Sequence, residues 1–144
     1  AGGLCDKTEL TEVYLIDRAV QYDFDITQLE GGEIGTLDGE AENFLPLYVP
    51  AALDYPRRAL GTGDRFNDSP ADHDLLIRLG AHIRDMEGAA IAQVCKYAGI
   101  PCVSVKAISD VYGADSTTEQ FEKNLARAAL NLKAFMREIF AALE

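Results

Sequence analysis

The sequence predicts an α/β fold, and three observations carry that prediction. Residues 102–108 hold a nearly continuous, β-branched apolar run, the pattern of a strand buried on both faces in a parallel sheet. Just before it, Ala90, Ile91, Val94, Cys95 and Ala98 recur at three- and four-residue steps, the period of one buried helix face. Gly99 and Pro101 stop that helix. The strand then ends in Ser109-Asp110. Ligands of open α/β sheets bind outside the carboxyl ends of strands, so an acid placed there points at a site. Glu87, at the start of the helix, is expected to lie close to it.

The remaining elements follow in order. Ala1-Gly2-Gly3 reads as a glycine-rich turn, where the missing Cβ lets backbone N–H groups approach a ligand. Residues 11–17 and 19–27 read as two strands, the second with Val20, Tyr22, Phe24 and Ile26 on one side. Residues 28–42, rich in glycine and acids, read as a mobile loop. Pro46, Pro50 and Pro56 interrupt residues 44–60, predicting a shortened, mostly irregular connection. Residues 61–67 form a glycine-bracketed turn that delivers an aromatic, Phe66. A phenylalanine there is ordinarily core, although a purine also offers a flat π-face to such a ring. A short helix over 70–80 opens near Ser69 with Leu75, Leu76 and Leu79 inward, and 81–84 is a strand. Residues 111–115 are a polar loop. Ser116 with Glu119, and Thr117 with Gln120, carry capping-box spacing ahead of a long terminal helix. The apolar stripe of that helix, from Phe121 through Leu125 and Leu132 to Phe140, reads as core or dimer surface.

Composition narrows the function classes. The 144 residues suit one domain, long enough to bury roughly two-thirds of its unfolded surface. A net charge of −11 leaves no basic stripe, so no nucleic-acid partner is expected. No apolar run approaches the roughly 20 residues of a membrane span, and no membrane partner is expected. No signal peptide is read either, and a cytoplasmic setting is expected. Cys95 and Cys102 read as buried core thiols of a reducing compartment. His73 and His82 lack metal-ligand spacing, so neither a metal nor a cofactor is expected.

DMEGAAIAQVC from Asp85 and KAISD ending at Asp110 together resemble the signature of the nucleoside phosphorylase/nucleosidase superfamily. They most resemble the branch that hydrolyses 5′-methylthioadenosine and S-adenosylhomocysteine. AGGL at the start, the segment VYLIDRAVQYDFDIT and GTGDRF at 61–66 support the resemblance in the family's order. It implies a three-layer α/β/α fold with a central mixed sheet, here a single nucleosidase domain over 1–144. That domain is expected to be incomplete at its amino-terminal end, because AGGL follows a mid-sheet strand in the family. The absent part would hold the water-activating glutamate, so this chain alone is expected to hydrolyse poorly or not at all and the complete protein to be active. Its missing strands would leave an apolar edge for something to cover.

The resemblance also implies roles. Asp110 is the general acid acting on N7 of adenine, which requires partial burial to raise its affinity for the proton. Glu87 accepts hydrogen bonds from the ribose hydroxyls and faces the developing cation. Met86 packs under the ribose, Gly2 runs beside it, and Asp85 and Ser109 complete the site. Phe66 stacks on adenine and the backbone at Asn67, an apolar position in relatives, reads the base edge. The 28–42 loop would reach across a homodimer interface, offering Leu29, Ile34 or Leu37 to the neighbour's pocket, or else simply face solvent. Taken singly, Asp85 and Glu87 could be acids stabilising a helix dipole by about 0.3–1 kcal/mol, and Asp110 a turn residue. Their joint spacing favours a nucleoside site. A phosphorolytic relative would need arginines around phosphate, and Arg57, Arg58 and Arg65 lie in no recognisable phosphate motif. A non-catalytic adenine-nucleoside-binding module is the other alternative. Lys106 stands where many relatives have arginine.

Overall fold

The computed structural model describes residues 1–4, 7–113 and 116–143. In chain order its elements are β1 (Gly2–Gly3), β2 (Val13–Gln21), β3 (Leu45–Pro46), β4 (Arg57–Thr62), α1 (Pro70–Leu79), β5 (Ile83–Asp85), α2 (Gly88–Tyr97), β6 (Ser104–Ala107), β7 (Asp110–Val111) and α3 (Thr117–Leu143). Hydrogen bonding orders the strands β3-β2-β4-β5-β1-β7, with β6 also on β2. The β2/β4, β4/β5 and β1/β7 pairs are parallel; β2/β3, β2/β6 and β1/β5 are antiparallel. Because β6 and β7 are neighbours in one stretch, pairing with β2 and β1 respectively, the sheet curls back on itself.

β2 divides the core. Tyr14 and Ile16 join Leu60, Ile83, Ala89 and Ala92 on the α2 side. Val13 and Leu15 join Ala107, Ala128, Phe135 and Ile139 on the α3 side. Helices thus cover both faces of a mixed sheet, the three-layer α/β/α arrangement expected. Helix α1 adds a third cluster, Leu76 with Leu4, Tyr22 and Ala81. It opens as its residues dictate: the Ser69 hydroxyl accepts from the Asp72 N–H, Pro70 stands in the first turn, and Gly80 closes it at φ 85°.

Several local expectations need correction. The strand buried on both faces is β2, not residues 102–108. β6 runs antiparallel to β2, and Cys102 to Lys106 are only half-buried. The two strands expected over 11–27 are one, β2. It passes through Asp17-Arg18 by shifting register against β4, then leaves the sheet, and the Asp25 carboxylate binds the Thr27 N–H in a local turn that leaves Phe24 exposed. Ala1-Gly2-Gly3 is no turn, since Gly2 and Gly3 form β1 between β5 and β7.

The 44–60 connection contains β3 and the start of β4. Its prolines end at Pro56, so residues 57–62 keep every N–H for the ladders with β2 and β5. The inward face assigned to α2 is its outward one: Val94 is 70% exposed and Ile91 53%, whereas Gly88, Ala89 and Ala92 are buried. The helix approaches through its smallest residues; a Cβ on Gly88 would stand 2.4 Å from Leu60 Cδ2. Cys95 and Cys102 are half-buried rather than core, and burial together with a hydrogen bond to Cys95 pushes the Cys102 thiol up. Gln120 is drawn from its capping-box position to Val111, bonding both its N–H and its carbonyl. Cys5 and the end of the 111–115 loop lie outside the described residues.

Candidate active site

A cavity of about 390 Å³ opens where β5 ends and β7 begins, against α3. Of the residues marked in the sequence, Gly2, Phe66, Asp85, Met86, Glu87, Ser109 and Asp110 line it. Glu87 and Asp110, from separate elements, therefore face one space.

Asn67 does not line it. Its side chain accepts from the Ser69 N–H and donates to Asp72, so it braces the start of α1.

Asp110 lies in β7 itself rather than in a loop after a strand, and it is 2% exposed. The Ser109 hydroxyl donates to Asp110 Oδ2 at 2.8 Å, and Arg84 Nη2 stands 3.8 Å from Oδ1. Register explains the ion pair. Gly2 is flanked by Arg84 on one side and Asp110 on the other, and a Cβ there would fall 2.8 Å from Asp110 Oδ1 and 2.9 Å from Arg84 Nε. The missing side chain at Gly2 lets the two groups meet across β1.

Asp85 and Glu87 differ sharply. Asp85 accepts from Thr62 Oγ1 at 2.6 Å and from the Gly88 N–H at 2.9 Å, and pairs with Lys106 Nζ at 2.6 Å. Thr62 Oγ1 in turn accepts from the Ala89 N–H. Two strand residues thus satisfy the first N–H groups of α2. Glu87 occupies the cap position itself, yet its carboxylate makes no hydrogen bond to the helix. It is an exposed acid at the cavity wall beside Met86.

The opposite wall is aromatic and apolar. Phe66, 53% exposed, meets Phe121 edge-on with centroids 5.8 Å apart. Phe121, Leu125 and Leu132 of α3 line the cavity, so the stripe read as core or dimer surface also furnishes a wall. Tyr22 also lines the cavity, its hydroxyl pushed up by burial and then by Asp72.

Arg84 and Tyr22 were not anticipated. No local pattern marks an arginine as buried; only the antiparallel register of β1 with β5 brings Arg84 against Asp110. Strand alternation had put Tyr22 on the apolar side of its segment, but not toward which space. Among the described residues, no group of three His, Cys, Asp or Glu side chains is placed to hold a metal, and no helix is long and apolar enough to cross a membrane.

The arrangement matches known proteins. Residues 1–141 match the family model described as the phosphorylase superfamily. The chain is 30% identical to the 5′-methylthioadenosine/S-adenosylhomocysteine nucleosidase of Marinomonas sp., covering 96% of this chain and 65% of that protein. It is 31% identical to the aminodeoxyfutalosine nucleosidase of Campylobacter jejuni, covering 96% and 66%. The apo structure of 5′-methylthioadenosine nucleosidase from Arabidopsis thaliana superposes with a TM-score of 0.76 at 30% identity, covering 96% of this chain and 58% of that one. The chain spans just under two thirds of the length of these relatives.

Proposed function

The chain belongs to the phosphorylase superfamily, and on that footing we propose that its cavity is the active site of a nucleosidase. The reaction is hydrolysis of the N-glycosidic bond of 5′-methylthioadenosine and/or S-adenosylhomocysteine, releasing adenine. The observation that carries this reading is the single cavity shared by Asp110, Glu87 and an exposed aromatic, Phe66.

Breaking the bond leaves electron density on the base and positive charge on the sugar. Asp110 protonates N7, relieving the first, while the Ser109 hydroxyl holds its other oxygen in place. Glu87, uncommitted to its helix, binds the ribose hydroxyls and stabilises the oxocarbenium-like transition state. Met86 supports the sugar, Gly2 leaves room for it, and Phe66 stacks on the purine. Asp85 acts through Glu87, by anchoring the helix that presents it.

Water rather than phosphate is the acceptor because every side-chain cation lining the cavity is already paired. Arg65 pairs with Asp72, Arg84 with Asp68 and Asp110, and Lys106 with Asp85. An added phosphate dianion would find no surplus positive charge. A homodimer, a cytoplasmic setting and a place in methionine salvage go with this reading, and so does a single domain over 1–144. The exposed Leu29 and the outward Ile91, Val94 and Tyr97 are surfaces that a second copy would cover.

The test is adenine release from each nucleoside by the complete protein rather than by these 144 residues alone, with and without phosphate. Turnover independent of phosphate is expected. A strict phosphate requirement would move the protein to phosphorolysis, and no release from either nucleoside would overturn the reading.

A further inference from the structure

We propose that Arg84 opens the base pocket to 6-oxopurine nucleosides as well as adenine nucleosides, an inference that rests on the nucleosidase function above. The edge of a purine that carries N7 also carries the substituent on C6. That substituent is a donor in adenine and an acceptor in hypoxanthine or guanine. A group placed beside the N7 partner therefore meets position 6 and selects between the two.

Arg84 is that group. It lines the cavity, is 9% exposed, and is held on three sides. Nη1 donates to the Asn67 carbonyl at 2.6 Å, while Nη2 stands 3.8 Å from both Asp68 and Asp110. Asn67 and Asp68 directly follow Phe66, so the guanidinium is tied to the segment that carries the stacking ring and to the acid that meets N7. That places it at the base end of the cavity, beside Asp110. A guanidinium has five N–H donors in a planar fork and no acceptor. It suits an oxo group at C6, which a bare carboxylate would repel. Adenine keeps a partner of its own, since the Asp110 carboxyl retains an acceptor for an amino group.

The reaction balances as for adenine. The C1′–N9 bond breaks, the oxygen of water bonds to C1′, N7 takes the Asp110 proton, and the proton shed by water restores it. The products are the 6-oxopurine and the free sugar.

The experiment compares kcat/KM for 5′-methylthioinosine and 5′-methylthioadenosine in the whole protein and in Arg84→Met. The wild type is expected to cleave both, within about tenfold of one another. The variant should lose at least about tenfold more on the 6-oxo substrate than on the 6-amino one, the size of one lost base contact. Should Arg84→Met fail to fold, Arg84→Lys keeps the charge without the fork, and its inhibition constants for free hypoxanthine and free adenine replace turnover. Selective weakening of hypoxanthine is expected. A wild type that cleaves methylthioadenosine but not methylthioinosine overturns the inference and leaves the nucleosidase reading standing. So does a folded variant with unchanged selectivity. Cleavage of neither nucleoside overturns both.

Discussion

The two ends of the cavity are built on different terms. At the β5/β7 end, Arg84, Asp110 and Ser109 are buried and bonded to one another, with the exposed Asp68 beside Arg84, so their geometry is set before any ligand arrives. At the opening of α2, the protein spends Asp85 and Thr62 on holding the helix and leaves Glu87 outside that network. The difference teaches how a motif divides labour. Asp85 and Glu87 are both acids at one helix start, but only the one on the strand bonds the helix, which leaves the other uncommitted. A preorganised end suits proton delivery, where a small displacement is costly. An end with one free carboxylate suits a flexible sugar.

The largest effect expected is at the preorganised end. Asp110→Asn should lower adenine release by about 100-fold or more, the usual weight of a positioned acid, while nucleoside affinity changes little. Adenine release and binding to the purified variant check this, and a wild-type rate would break the assignment. At the other end, Glu87→Gln should lower kcat/KM by about tenfold or more through the lost charge at the sugar. Its urea midpoint should stay near wild type, as for most exposed substitutions.

Asp85→Asn should do the reverse in kind. It weakens the anchor of α2 and leaves Lys106 without its counter-charge, so a loss of about 1–3 kcal/mol in urea unfolding is expected, with activity falling only as Glu87 becomes misplaced. Equal stability losses in the Asp85 and Glu87 variants would erase the contrast drawn here.

The smallest effect separates fold from chemistry in acid. His82 Nδ1 accepts from the Ala59 N–H, and burial, followed by Lys7, Arg58 and Arg18, holds the imidazole below its ordinary value of 6.5. The unfolded chain then binds the proton first. The stability His82 contributes is present above 6.5 and is lost as pH falls from there through the lower folded value. Urea midpoints of wild type and His82→Gln should therefore converge on acidification, and a gap that is constant across pH would sink this.

Much of this was legible in local pattern. The motif residues around Glu87 and Asp110, the α1 caps at Ser69 and Gly80, and the glycine-acid loop over 28–42 are short-range signals, where a residue's own chemistry decides. Errors came where a neighbour decided. Ile91 and Val94 have the spacing of a buried face, yet the close approach allowed by Gly88 and Ala92 turned the helix the other way. The backbone at Asn67 read as a contact to the base edge, yet Asn67 stands outside the cavity lining and its side chain braces the start of α1.

By itself, then, the order of residues determined the layer architecture and marked two acids that face one cavity, because hydrophobic period and motif spacing are properties of the chain. The tertiary structure alone decided which face of α2 is buried, that β6 runs against β2, and that Arg84 reaches Asp110 over Gly2. Those outcomes depend on strand register and helix rotation, which are set by packing between segments far apart in sequence.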